Sequence, residues 1–186
     1  MVFFFFISFI VLQRMAELYI AKKNEISMKQ KGAIEFGKGH YPFIIMIHSL
    51  FFVSLINEVV IFHKELSPSW PFILVIFLLI QLGRIWALYS LGEFWNTKIL
   101  VLPNANIVRK GPYRFIKHPN YLIVTAEFIL IPFLFQAYMT ALIFSVLNAI
   151  VLNIRIRTEE KVLKQLTEYA KAYGDAANHE RNVNKV

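Results

Sequence analysis

Residues 121–154 read YLIVTAEFILIPFLFQAYMTALIFSVLNAIVLNI, an apolar block whose only charged residue is Glu127. A helix needs about 20 apolar residues to cross a bilayer core of roughly 30 Å, so this block is too long for one crossing. Pro132 and the polar Gln136 lie near its middle and favour a break there. We therefore predict a helical hairpin, with helices at about residues 121–135 and 138–154 joined by a tight turn.

Three further apolar segments precede this block, at about residues 2–20, 41–62 and 70–89. The 186 residues are 57% hydrophobic and 17% charged, whereas soluble domains are about 45–50% apolar and about 25% charged. The first segment has no basic residue before Arg14 and no small-residue cleavage site, so we expect a retained helix rather than a signal peptide. The predicted fold class is an all-α integral membrane protein with about five transmembrane helices, forming a single domain over residues 1–186.

The basic residues concentrate on alternate connections between these segments. Residues 21–40, residues 90–120 and the tail from Arg155 hold 17 of the 20 Lys and Arg. Cytoplasmic loops carry such an excess, so an odd number of spans places the N-terminus outside and the C-terminus in the cytoplasm. Together with attraction to anionic membrane lipids, this bias accounts for the net charge of +8 without a nucleic-acid partner. The sequence does not indicate an oligomeric state.

The tail has an amphipathic pattern. Apolar residues recur at helical spacing between Val162 and Tyr173, opposite charged residues, and Gly174 follows as a stop signal. We predict a cytoplasmic amphipathic helix at about residues 158–173, which lies on the membrane surface or folds back over the cytoplasmic loops. The residues from Asp175 onward are polar and are expected to fray.

Polar residues inside the spans are costly, and each therefore indicates a function or a partner. Glu127 lies about two turns into the fourth span and needs a basic residue or a ligand as its partner. Arg14 and Glu17 stand one turn apart and could form a structural ion pair. Arg84 either extends to the membrane interface or serves a site. His48 is expected to be a hydrogen-bonded interior residue, and the scattered His and absent Cys predict no metal site.

The most informative stretch for chemistry is KGPYRFIKHPNY, residues 110–121. Its Gly-Pro pair forces a turn, and Pro119 is well placed as the first residue of the fourth helix. His118 would then stand at a helix N-terminus, where backbone N–H groups favour an anion. A second cluster, RIRTEE at residues 155–160, follows where the fifth helix leaves the membrane. Both clusters fall on the predicted cytoplasmic side, so one pocket could use both.

In this order, and with a helical hairpin between them, the two clusters resemble the isoprenylcysteine carboxyl methyltransferase family. The resemblance runs from about Gln81 to Gly174 and implies a membrane-embedded enzyme that transfers a methyl group from S-adenosylmethionine to a lipophilic acceptor. The chain also lacks the G-x-G-x-x-G fingerprint of a Rossmann domain, as the family does. The resemblance further implies that Arg157, with Arg155, orients the acceptor or the cofactor carboxylate. The cofactor contacts that it implies are Tyr113, His118, Tyr121, Glu159 and Glu160.

Lys117 stands where eukaryotic members carry an Arg before His-Pro, and this departure bears on the substrate more than on the cofactor. The resemblance is to a bacterial branch with alkylpyrone-like acceptors. The expected acceptor is the carboxyl or acidic enol oxygen of an alkylpyrone-like or prenylcysteine-like molecule. Such a group is already ionised near pH 7, so positioning, desolvation and an Arg suffice. A neutral alcohol would need a base, with Glu127 or His118 as candidates. The alternative is a non-catalytic membrane protein that binds lipid or assists a partner.

Overall fold

The computed structural model describes residues 1–173. The predicted stop at Gly174 and the expected fraying from Asp175 lie outside the described residues. Two three-residue strands, β1 (Ile34–Phe36) and β2 (Ile99–Val101), pair antiparallel with Glu35 opposite Leu100. The helices are α1 (Val2–Gln30), α2 (Tyr41–Ile61), α3 (Trp70–Leu91), α4 (Pro119–Leu134), α5 (Tyr138–Leu166) and α6 (Tyr169–Ala172).

Four of these helices, α1, α2, α3 and α5, are long and apolar enough to cross a membrane. Helix α4 is apolar but shorter, with 16 residues. Large apolar side chains on the spans point outward, such as Phe5 at 75% exposure and Phe72 at 70%. A soluble domain would bury such side chains, whereas lipid accommodates them. The prediction of a helical membrane protein is therefore confirmed, with four long apolar helices and a shorter one in the fourth position.

The break within residues 121–154 lies where the sequence predicted it. Pro132 occupies the last turn of α4, and its carbonyl accepts a hydrogen bond from the Ala137 N–H at 2.9 Å. Gln136 adopts a left-handed conformation with φ 55°. Its side-chain amide donates to the Leu66 carbonyl at 3.2 Å. The tight turn is thereby attached to the connection between α2 and α3.

Three predicted boundaries need correction. Helix α1 continues to Gln30 instead of ending near residue 20, and α5 is a single helix to Leu166 instead of stopping at residue 154. The charged residues that follow each apolar run are good helix formers, so the helix continues after the hydropathy falls. The separate helix expected at 158–173 is therefore the end of α5, a break at the extended Thr167, and the short α6. The β1–β2 ribbon is an addition to the all-α prediction.

A core of aromatic and aliphatic side chains joins helices α1 to α5. The rings of Phe51 of α2 and Phe128 of α4 pack in a tilted arrangement with centroids 4.5 Å apart, and Phe3 of α1 meets Phe135 edge to face at 4.9 Å. The end of the bundle that lies away from the Gln136 turn carries residues 21–40, 90–120 and 155–173. We call it the basic end. The loops, the ribbon and α6 gather at this end, where the candidate site lies.

Candidate active site

A cavity opens at the basic end, between the turn at residues 111–114, the start of α4, the second half of α5, strand β2 and α6. Residues of both motif clusters line this one cavity, an arrangement that the sequence left open. Other lining residues had no predicted role in the site, and they include Trp95, Asn96, Lys98, Asn120 and Tyr169. The predicted site residues that line it are Tyr113, His118, Tyr121, Arg155 and Glu159.

The turn that places Tyr113 requires a glycine. Gly111 has φ +54°, and a Cβ on it would lie 2.0 Å from the Ser90 hydroxyl of α3. The next residues form one turn of 3-10 helix, closed by a hydrogen bond from the Tyr113 N–H to the Lys110 carbonyl at 3.1 Å. Burial raises the pKa of the Tyr113 phenol, and the charge of Glu159 raises it further. Tyr113 therefore presents a neutral ring and hydroxyl at neutral pH.

His118 stands at the start of α4, as the sequence predicted. Pro119 is the first helical residue, and the His118 carbonyl accepts the N–H of Tyr121 at 3.2 Å. The His118 ring stacks on the Tyr121 ring with centroids 5.2 Å apart. Its Nε2 lies 3.2 Å from a carboxylate oxygen of Glu160. Glu160 thus orients His118, although it is not among the described residues that line the cavity.

A chain of hydrogen bonds joins α4 to α5 inside the cavity. The Tyr121 hydroxyl donates to Glu159 and accepts from Arg155 Nε at 2.8 Å. Arg155 Nη2 donates to the carbonyl of Thr97 at 2.6 Å. Arg155 is 5% exposed. Its guanidinium is therefore held in place by a side chain of α4 and by the backbone of the segment before β2.

Arg157 lies on the exposed side of α5, and it is not among the described residues that line the cavity. Two residues along a helix correspond to a rotation of about 200°, so Arg155 and Arg157 face opposite directions. Glu159 stands four residues after Arg155 and shares its face. The structure therefore brings Arg155 and Glu159 together and separates Arg157 from them.

Glu127 lies apart from the cavity, about 9 Å along α4 from Tyr121 at 1.5 Å per residue. Its carboxylate accepts from Arg14 of α1 and from Arg84 of α3, and from the Gln81 amide at 2.7 Å. The sequence predicted a basic partner or a ligand for Glu127, and the structure supplies two basic partners, Arg14 and Arg84. Arg84 is 3% exposed, so it does not extend to the interface. We call Arg14, Glu17, Arg84 and Glu127 the buried ion network, since Glu17 also accepts from Arg14 at 2.6 Å and Arg84 at 3.0 Å.

The end of α5 and α6 cover the cavity. The Tyr173 hydroxyl donates to the Tyr113 carbonyl at 3.0 Å, and Arg109 donates to the Ala172 carbonyl. Tyr169 is 3% exposed and packs against the Tyr173 ring with centroids 4.8 Å apart. Their spacing of four residues in the tail was the only sequence signal for this cover. It predicted an apolar helix face, without indicating what the face contacts.

The fold and the site define a helical membrane protein with a polar cavity built from the motifs GPYR, HPNY and RIRTEE at one end of the bundle. The model of the isoprenylcysteine carboxyl methyltransferase (ICMT) family matches residues 73–165, and the chain belongs to this family. ICMT proteins are methyltransferases that generally use S-adenosylmethionine. The match begins in α3 and leaves residues 1–72 outside it.

Two bacterial relatives are similar over most of their length. The chain is 50% identical over 163 residues to the uncharacterized protein YpbQ of Bacillus subtilis, which covers 88% of this chain and 97% of the relative. It is 28% identical over 154 residues to an uncharacterized protein of Haemophilus influenzae, covering 82% of this chain and 90% of the relative. Neither name states a substrate.

Proposed function

We propose that this protein is an S-adenosylmethionine-dependent methyltransferase that methylates a carboxyl or acidic enol/hydroxyl oxygen of a lipophilic substrate at the cytoplasmic membrane face. The observation that carries the proposal is the convergence of both motif clusters on one cavity, where the Tyr121 hydroxyl bridges Glu159 and Arg155. Membership of the ICMT family supports the same reaction class.

The lining residues fit the chemical groups of this cofactor. The Glu159 carboxylate can accept from ribose hydroxyls or the amino group, and aromatic rings suit both a purine and a sulfonium cation. Trp95 Nε1 and Asn120 Oδ1 belong to lining residues, and neither atom has a hydrogen-bond partner among the described residues. Buried polar atoms without partners are costly, so a polar ligand at this site would relieve that cost.

In this proposal, Tyr113, His118, Tyr121 and Glu159 hold the cofactor, and Glu160 acts by orienting His118. Arg155 takes the role that the sequence analysis gave first to Arg157, because Arg155 lines the cavity. Two of its nitrogens are engaged by protein oxygens, which fixes the plane of the guanidinium. In this proposal its Nη1 donates to a negatively charged oxygen of the ligand.

When bound, S-adenosylmethionine supplies an electrophilic methyl group on a sulfonium sulfur. Transfer of that group to the acceptor oxygen would form an oxygen–carbon bond and break the carbon–sulfur bond, with S-adenosylhomocysteine as the thioether product. The protein contributes an aligned approach at about 3–3.5 Å and an environment without water. No base is required because the acceptor oxygen is already ionised near pH 7, and Arg155 holds its negative charge. For a neutral alcohol, His118 is the base candidate inside the cavity, since Glu127 lies outside it.

The proposed acceptor class is an alkylpyrone-like acidic enol, with prenylcysteine-like carboxyls as the second class. An apolar acceptor dissolved in the bilayer would reach the site between helices, and the cofactor would arrive from the cytoplasm. This arrangement places the basic end in the cytoplasm, as the distribution of Lys and Arg predicts.

The first experiment is calorimetric titration of the detergent-purified protein with S-adenosylmethionine and S-adenosylhomocysteine. We expect micromolar binding, weakened about tenfold in Tyr121→Phe and kept in the control Tyr89→Phe, whose side chain is 79% exposed on α3. A labelled-methyl assay with alkylpyrones and prenylcysteine analogues then identifies the acceptor. If a folded, monodisperse sample binds neither compound, the methyltransferase proposal fails and the non-catalytic lipid-binding function takes its place.

A further inference from the structure

The cavity wall includes a short segment that accepts a hydrogen bond from Arg155 of α5. This segment, residues 96–98, precedes β2 and has no helix or strand conformation. Asn96 and Lys98 line the cavity, and the carbonyl of Thr97 between them accepts the hydrogen bond from Arg155 Nη2 at 2.6 Å. Without a helical or strand ladder, the position of that carbonyl depends on what holds the Thr97 side chain and the two flanking residues. Thr97 Oγ1 lies 3.2 Å from the Tyr41 hydroxyl of α2.

Both flanking residues are attached to α1. Asn96 Nδ2 donates to the Ala21 carbonyl at 2.9 Å, and Lys98 Nζ donates to Glu25 at 2.8 Å. The segment is also closed on itself, because the Asn96 side-chain oxygen accepts the Lys98 N–H at 3.0 Å. Just before the segment, Asn24 of α1 donates to the Trp95 carbonyl at 2.7 Å.

Glu25 is the centre of this attachment. It is 5% exposed, although it lies in the part of α1 beyond the apolar run. Besides Lys98, it accepts from Lys29 at 2.6 Å and from Lys22 at 3.3 Å. Glu35 of β1 lies 3.5 Å from Lys98 on the other side. The hydrogen bond that Lys98 donates to Glu25 raises the pKa of the Lys98 ammonium, so this link stays charged at neutral pH.

We propose that the extension of α1, residues 21–30, positions Arg155 for the reaction by fixing the carbonyl of Thr97. Glu25 and Asn24 are then positioning residues, and Lys98 transmits the attachment. The catalytic part of this inference rests on the proposed function, because it assumes that Arg155 orients the acceptor oxygen. None of the α1 residues lies within the family match of residues 73–165.

The expected effect is on the rate of transfer more than on cofactor binding. Displacing a group that orients a reactant by about 1 Å can cost a factor of 10². Arg155 keeps its bond to Tyr121 when the Thr97 carbonyl moves, so we expect a partial loss. Glu25→Gln and Lys98→Met should each lower kcat roughly tenfold, and the affinity for S-adenosylhomocysteine should change less than about threefold.

Controls separate this role from a general loosening of the fold. The exposed ion pair of Lys31 with Glu93 also links the end of α1 to the turn before the segment. Lys31→Gln breaks this pair and should leave kcat unchanged. Lys98→Arg keeps the charge and should restore most of the rate. In an Arg155→Gln background, Glu25→Gln should have no further effect on the residual rate. An equal effect of Glu25→Gln in both backgrounds, or a loss in Lys31→Gln as large as in Lys98→Met, overturns the inference.

A measurement without ligand keeps the inference separate from the proposed function. The unfolding temperatures of wild type, Lys98→Met, Arg155→Gln and the double variant form a cycle that needs no cofactor. We expect the double variant to lose less than the sum of the two single losses, because both variants disrupt the same chain of contacts. Additive losses overturn the inference. A non-additive cycle in a protein that binds no S-adenosylmethionine supports the attachment while the methyltransferase proposal fails.

Discussion

Replacing Glu127 by Gln tests the buried ion network directly. Within it, Glu127 has 4% side-chain exposure and accepts from Arg14, Arg84 and Gln81. The substitution keeps the size of the side chain but replaces one acceptor oxygen with an NH2 donor, and it leaves two arginines with one carboxylate, that of Glu17. Removing one partner of a buried ion pair costs about 3–5 kcal/mol. We expect the lower end, about 3 kcal/mol, because Glu17 keeps contact with both arginines.

The assay is equilibrium unfolding in mixed micelles, followed by helical circular dichroism. Glu93→Gln is the matched control, since Glu93 pairs with Lys31 at 44% and 48% exposure and should lose about 1 kcal/mol or less. The double variant Arg84→Gln/Glu127→Gln restores charge balance and should lose less than the two single losses summed. A loss below about 1 kcal/mol in Glu127→Gln would refute the reasoning. A variant with unchanged stability and cofactor affinity but no methyl transfer would instead support the catalytic role that the sequence gave to Glu127.

Three further predictions concern other contacts. Tyr121→Phe removes the hydroxyl that bridges Glu159 and the Arg155 guanidinium. It should weaken S-adenosylhomocysteine binding about tenfold by calorimetry, which is the effect of losing one charge-assisted hydrogen bond. Glu58 accepts the N–H groups of residues 139 and 140 at the start of α5, so Glu58→Gln should lower the unfolding free energy by about 1 kcal/mol. The hydrogen bond from the Lys29 ammonium lowers the pKa of the Glu35 carboxyl from its usual value. The pair therefore stabilises the fold above the unfolded-state pKa of Glu35, and this stabilisation is lost as the pH falls through the lower pKa of the folded state. Glu35→Gln should therefore flatten the acid limb of a stability–pH curve.

The sequence predicted the helices well where hydropathy and turn chemistry act locally. Pro132 and Pro119 marked the end of one helix and the start of another because proline restricts the backbone whatever surrounds it. The position of His118 followed from the same argument. The charged continuations of α1 and α5 were missed, because hydropathy measures where a helix meets lipid and not where its hydrogen bonds stop.

The choice between Arg155 and Arg157 shows where local reasoning failed at the site. A two-residue offset changes the direction of a helical side chain by about 200°, so the phase of α5 decides which arginine faces the cavity. The sequence did contain a signal for that phase. If Glu159 contacts the cofactor, the residue four positions earlier shares its face, and that residue is Arg155. The partner of Arg155, the Thr97 carbonyl, left no side-chain signal because any residue supplies a carbonyl.

The buried ion network explains how α1 can attach to the rest of the bundle within lipid. Apolar contacts drive little association there, because lipid tails are as apolar as the side chains they would replace. Arg14 and Glu17 form a neutral pair on α1, and Arg84 and Glu127 form a neutral pair between α3 and α4. Each pair is therefore balanced before α1 docks. When α1 docks, the pairs also cross, with Arg14 reaching Glu127 and Arg84 reaching Glu17. Docking thus adds charge-assisted hydrogen bonds without burying an unbalanced charge, and it brings the extension of α1 to the segment that holds Arg155.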